Sequence, residues 1–145
     1  MKTKTITRDE IEGVKILWEH LKTHHLLKST NFKDHFSKLT FEKRMEDLKK
    51  RDRFIGYVAE DNGESIGYCI ATVEGLVGEI DSIFVSELYR GRGVGEKLVS
   101  LVLDWFGEQN CETIKVSIAE GNESVLGFYR RFGFAERFIV MQKNA

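Results

Sequence analysis

The sequence predicts a mixed α/β protein, and three observations predict it. Apolar residues recur at helical spacing early in the chain, the period turns strand-like from residue 53, and a glycine-rich stretch then separates an apolar strand from an amphipathic helix. The 145 residues, 41% of them hydrophobic, fit one domain, 1–145, long enough for a real core.

The elements follow in order. Residues 4–8, "KTITR", form a short first strand. Asp9 can cap a helix with Glu12 as its capping-box partner, and Ile11, Val14, Trp18 and Leu21 supply the apolar stripe. A polar stretch, "KSTNFKDHFSK", leads to Thr40, the cap of a second helix, "FEKRMEDLKKR". "RFIGYVAE", the turn "DNGE" and "SIGYCIATV" make a hairpin. Glu74 and Gly75 turn the chain into a fourth strand, residues 78–85. After the glycines, Val94, Leu98, Leu101, Val102 and Trp105 mark a helix. "ETIKVSIA" is a strand, 122–132 a helix, and "FAERFIVMQK" a closing strand. The order is β-α-α-β-β-β-α-β-α-β: antiparallel hairpins, then a β-α-β crossover, hence a mixed sheet with helices over it.

Bulk composition excludes more than it names. A net charge of -1, with basic residues scattered among acids, gives no footprint for nucleic acid. No apolar run approaches the ~20 residues that cross a bilayer, and the first residues lack the apolar core of a signal peptide. Cys69 and Cys111 lie far apart in apolar stretches and read as small core residues, which makes a reducing cytoplasm the expected setting. There is no proline, where average usage of ~5% would give about seven, so no proline-rich linker divides the chain.

"YRGRGVG", residues 89–95, holds three glycines and two arginines between a strand and a helix. Glycine lets backbone N–H groups turn toward a ligand, and the helix start adds its positive dipole end. Arg90 and Arg92 add charge, so the place suits a phosphate or pyrophosphate. It is not the dinucleotide fingerprint, because Glu96 stands where the third glycine belongs. It is not a P-loop either, because 96–98 are Glu96, Lys97 and Leu98. A solvent-facing turn remains the alternative.

A second block follows in register. The pattern Arg-x-x-Gly-x-Gly from Arg90 and the pattern Asn-x6-Tyr-x3-Gly-Phe from Asn122 together resemble the two signature motifs of the Gcn5-related N-acetyltransferase (GNAT) superfamily. The resemblance is good from about residue 53 to 140 and weak before it. It implies a mostly antiparallel mixed sheet of six to seven strands flanked by about four helices. It also implies acetyl-CoA as co-substrate. Ile83, Phe84 and Val85 would offer backbone groups to the pantetheine arm. Arg90, Gly91, Arg92, Gly93, Val94, Gly95 and Glu96 would hold the pyrophosphate, Asn122 the pantetheine region, and Tyr129 would sit near the thioester sulfur. A helix cap is the other reading of Asn122, and a core aromatic the other reading of Tyr129. Arg130 and Arg131 suit either the 3′-phosphate of coenzyme A or a solvated helix face.

Acetyl transfer needs a deprotonated amine, and at pH 7 a lysine-like amine is neutral in only about one part in 2,500. It needs a donor for the developing oxyanion and a proton for the leaving thiolate. Tyr129 is the expected acid. Glu79, six residues before Val85, matches the general base of the histone-acetylating branch of the superfamily. Asp81 shares its face by strand alternation, and a water chain or an exposed, idle Glu79 are the alternatives. Another branch places its base where this chain has Ser117, a poor base. His20 and His24 stand four apart, but Leu21 replaces the glutamate of the metalloprotease pattern and no third ligand is suitably spaced, so no metal is expected. The expected function is direct transfer from acetyl-CoA to the primary amine of a small molecule. A peptide or protein amine, or a non-catalytic acyl-CoA sensor, are the alternatives. The resemblance also allows a homodimer, with the last strand as a pairing edge.

Overall fold

A computed structural model describes residues 1–144. The chain runs β1 (Lys2–Ile6), a 3₁₀ turn (Arg8–Val14), α1 (Lys15–Lys28), α2 (Lys33–Lys38), α3 (Phe41–Lys49), β2 (Arg53–Asp61), β3 (Glu64–Glu74), β4 (Val77–Val85), α4 (Val94–Glu108), β5 (Thr113–Val116) and α5 (Leu126–Arg130). The five strands lie in sequence order. The first four pair antiparallel, and β5 pairs parallel to β4 after the α4 crossover.

The sheet separates two cores. On one face α4 lays Val94, Leu98, Val99, Val102, Trp105 and Phe106 over the strands, in a core that includes Cys69 and Ile80. On the other, Ile11, Val14, Trp18, Phe41, Met45 and Leu48 close over Val58, Tyr68, Ile70 and Phe84. β3, covered on both faces, is therefore nearly continuously apolar. Burial raises the Cys69 thiol far above its ordinary range, as expected of a small core side chain.

Several elements differ from the sequence expectation. The helix start expected at Asp9 lies two residues earlier: the Glu10 carboxylate accepts from the Thr7 N–H at 2.9 Å. The chain winds there as 3₁₀, which puts Ile11 and Val14, three apart, on one buried line. The polar stretch 28–38 contains α2, fixed by buried Phe36 stacked on His25 at 5.2 Å. Thr40 does cap α3, its Oγ1 accepting from the Lys43 N–H at 3.2 Å.

The largest difference is at the other end. Residues 134–143, expected as a closing strand, pair with no strand among the described residues, whose sheet has five strands rather than six or seven. The segment leaves α5 through Gly133, at φ 92°, and does not join the four-residue β5.

Candidate functional site

The site begins where β4 and β5 part. Their ladder runs from Val77↔Thr113 to Ile80↔Val116 and stops. From Asp81 to Val85, β4 keeps β3 on one side only, so its other edge has no ladder partner. Two local causes produce the split. In β4, Asp81 is an extra residue opposite the Ile70–Ala71 step of β3, a β-bulge. Side chains exchange faces across it: Ile80, Ile83 and Val85 all pack with the α4 core, while Phe84 joins the opposite one. The bulge is pinned by the Arg44 guanidinium, which donates to the Asp81 carbonyl at 3.1 Å, and by a 2.6 Å hydrogen bond between Tyr68 and Ser82.

The second cause pulls β5 away. Beyond Val116 the loop is tied to the end of α1. The Glu120 carboxylate accepts from the Thr30 and Asn31 N–H groups and from the Ser29 hydroxyl. Gly121 lies so close to α1 that a Cβ there would come within 2.2 Å of the Lys28 carbonyl oxygen. Between the separated strands lies a cavity of about 140 Å³, lined among others by His25, Asp81, Ile83, Ser117, Asn122 and Tyr129. A shallower depression of about 260 Å³ between the 3₁₀ turn and α3 holds none of the expected site residues.

The glycine stretch sits at the mouth of this split. Gly91 and Gly93 have φ of 75° and 81°, where a side chain would be strained, and a Cβ at either would meet open space. Gly93 is the N-cap of α4, with no side-chain cap, so the first N–H groups of a 15-residue helix point outward. Arg90 lies over the Phe84 ring and donates to the Val85 carbonyl at 3.0 Å; Arg92 lies over Tyr89. Glu96 pairs with Arg131, and Arg130 with Glu136, so both helix arginines already have carboxylate partners.

Titratable groups divide sharply. Glu79 is 16% exposed and already faces two cations, Arg51 at 3.3 Å and Lys115 at 3.9 Å; it does not line the cavity. Asp81 does. Thr72 donates to its Oδ2 at 2.6 Å, while its buried Oδ1 has no partner among the described residues. Burial raises its pKa to about 6, against a smaller downward pull from the Thr72 bond and with neighbouring Glu79 adding to the rise. Tyr129 is 5% exposed, packed against Phe128 and Phe134, and burial lifts its phenol well above the usual range. Asn122 does not use its side chain as a cap; its Oδ1 lies 3.3 Å from His24 Nε2.

His25 is marked by no sequence motif. It lines the cavity, stacks on Phe36, and keeps a buried Nδ1 without a partner among the described residues. Burial, with His24 beside it, lowers its pKa, so the ring is neutral at pH 7. Only contact across the fold, between α1 and β4, reveals it. His20 packs edge-on to Phe84. Among the described residues no three His, Cys, Asp or Glu side chains cluster to hold a metal ion.

The parted strands and the glycine collar are matched by sequence. The model of the Acetyltransferase (GNAT) family covers residues 18–134. The chain belongs to that family. It is an acyltransferase, and acetyl-CoA is the acyl donor the family uses. An uncharacterized N-acetyltransferase of Methanocaldococcus jannaschii is 31% identical over 100 residues, 64% of this chain and 44% of that protein, so the chain spans less than half of that relative. An acetyltransferase of Yersinia pestis is 26% identical over 141 residues, 97% of this chain and 92% of its own. Among solved structures, aminoglycoside N-acetyltransferase AAC(6')-Iy in complex with CoA superposes with a TM-score of 0.64 at 20% identity, over 99% of this chain and 100% of that one, which is a likeness of fold.

This chain's own geometry fits coenzyme A. An unpaired β4 edge can accept an amide-bearing arm, and outward N–H groups at a helix start, with Arg90 and Arg92 beside them, suit a pyrophosphate.

Proposed function

We propose that the protein transfers an acetyl group from acetyl-CoA to the primary amine of a small molecule, directly, within one ternary complex. The observation that carries this reading is a carboxyl and a phenol, Asp81 and Tyr129, on one cavity where β4 loses its partner. Gly91–Glu96 and the Ile83–Val85 backbone would hold the donor, with Asn122 at the cavity wall. Bound acetyl-CoA supplies the acyl carbon as a thioester.

The chain's own groups then do the following. Asp81, with a pKa of about 6, is ionised at pH 7 and yet more basic than a solvated aspartate, so it accepts a proton from an incoming ammonium. Thr72 holds Oδ2 and leaves Oδ1 for that proton. A backbone N–H on the free β4 edge donates to a developing oxyanion. Tyr129 keeps its proton at Oη through the working range and gives it to the departing sulfur. Neutral His25 offers a ring nitrogen to the acceptor from the opposite wall. We give the base to Asp81 rather than Glu79 because Glu79 is neutralised by Arg51 and Lys115 and stands off the cavity. A small acceptor is favoured over a peptide by the wall that α1 and the Glu120-tied loop build around this volume.

The test is thiol release from acetyl-CoA with a panel of small amines and lysine peptides. Asp81→Asn and Tyr129→Phe are expected to lose about 10²-fold or more in kcat with coenzyme A affinity kept, and Glu79→Gln to lose little. Turnover only with peptides would overturn the small-molecule acceptor. Coenzyme A binding without any amine-dependent release would make the protein a sensor.

A further inference from the structure

The cavity between β4 and β5 is mostly apolar. Leu21, Ile80, Ile83, Val116, Ile118 and Val125 supply much of its wall. Among the described residues Asp81 is the one carboxylate that lines it, and no lysine or arginine does. Glu79 stands off the cavity, against Arg51 and Lys115.

The polar side chains of the lining are mostly engaged. Ser82 is bonded to Tyr68 at 2.6 Å, and Asn122 Oδ1 lies 3.3 Å from His24 Nε2. Three buried side-chain polar atoms lack a partner among the described residues, and two of them, Asp81 Oδ1 on β4 and His25 Nδ1 on α1, belong to residues that line this one cavity. Native proteins rarely leave such atoms unpaired, because each has lost its water and gained nothing. One ligand reaching from β4 to α1 can pair both.

The two points ask for different chemistry. Asp81 matches a cationic amine. His25 does not match a charge: burial, with His24 beside it, keeps its ring neutral, and Phe36 stacks on it at 5.2 Å. A hydroxyl suits it, since a hydroxyl donates or accepts and so satisfies either tautomer. A second ammonium would lose its water with no carboxylate to meet. A substrate carboxylate would face Asp81 with no cation to offset it. The volume of about 140 Å³ lies below the roughly 300–1,000 Å³ of ordinary ligand pockets, so the acceptor is compact.

We infer that the acceptor is a compact amino alcohol, a primary amine with one positive charge and a hydroxyl a few bonds away, and that His25 selects it by pairing with that hydroxyl. This rests on the acetyl-transfer reading above and names its substrate class. Asp81 holds any amine; His25 reads what the amine carries.

Propanolamine, butylamine and diaminopropane differ only in a terminal hydroxyl, methyl or ammonium, and β-alanine ends in a carboxylate. With the unmutated protein and saturating acetyl-CoA, thiol release should give propanolamine at least a tenfold higher kcat/KM than any of the other three. His25→Phe keeps an aromatic ring against Phe36 and removes both nitrogens. It should bring the propanolamine-to-butylamine ratio to about one, and His25→Gln should restore part of the preference. Calorimetric titration of the coenzyme A complex separates this inference from the reading beneath it. Silent thiol release with all four amines would sink acetyl transfer, yet propanolamine binding at least tenfold tighter than butylamine would still support the assignment of the pocket. Equal or weaker binding of propanolamine, equal kcat/KM for the two, a preference for diaminopropane or β-alanine, or a ratio unmoved by His25→Phe would overturn it.

Discussion

Asp81 carries two opposite consequences of burial. Its folded pKa of about 6 exceeds the ordinary 3.8. Below about pH 4 the carboxyl is protonated in folded and unfolded chains alike, and it costs nothing. Between about pH 4 and pH 6 the unfolded chain has already ionised while the folded state still holds the proton, so stability falls across that window by at most about 3 kcal/mol and levels off above it. Asp81→Asn is therefore expected to raise the melting temperature at pH 8 relative to wild type, with the gain vanishing near pH 4; melts across that range check it. Activity has the other sign. Below about pH 6 the wild-type rate should fall about tenfold per pH unit as the base is protonated, and Asp81→Asn should lack that limb while running slowly throughout. Tyr129→Phe separates chemistry from packing. Its ring packs against Phe128 and Phe134, contacts that phenylalanine keeps, so the melting temperature should hardly change while kcat drops.

At the scale of elements, much was legible and the failures have causes. The Thr40 cap, the hairpin turn at Asn62 and Gly63, and the α4 stripe follow from local chemistry and periodicity, and the structure has them. Glu79 and Asp81 could not be ranked from alternation, because the bulge at Asp81 is set by pairing with β3, and their separation depends on partners, Arg51, Lys115 and Thr72, far off in sequence. β5 was expected over eight residues and has four, because Glu120 and Gly121 bind the loop to α1. His25 was invisible for the same reason: its cavity exists only once α1 crosses β4. The turn at the strand–helix junction was legible in its glycines, and the structure gives Gly91 and Gly93 positive φ. Gly93→Ala should cost about 1–2 kcal/mol through its φ of 81° alone, and weaken coenzyme A by at least tenfold, measured by titration. Leu98→Ala, fully buried beneath β3, should cost about 2–5 kcal/mol by chemical denaturation without moving the collar.

For the molecule as a whole, two cores on opposite faces hold a sheet whose β4 and β5 part after four paired residues. The gap between β4 and β5 is where the proposed function places the acyl donor. Ligand filling that gap binds the folded state only, so the melting temperature should climb with coenzyme A concentration as mass action requires, by about 2.7 kcal/mol of stability at a hundredfold excess over Kd. Among the described residues no helix is long and apolar enough to cross a membrane.

Calorimetric titration with coenzyme A and acetyl-CoA addresses the whole account at its root. The expected result is saturable heat at one site per chain, lost or much weakened in Gly93→Ala and retained in Tyr129→Phe. Absence of heat from both ligands, in protein that melts cooperatively, would contradict it.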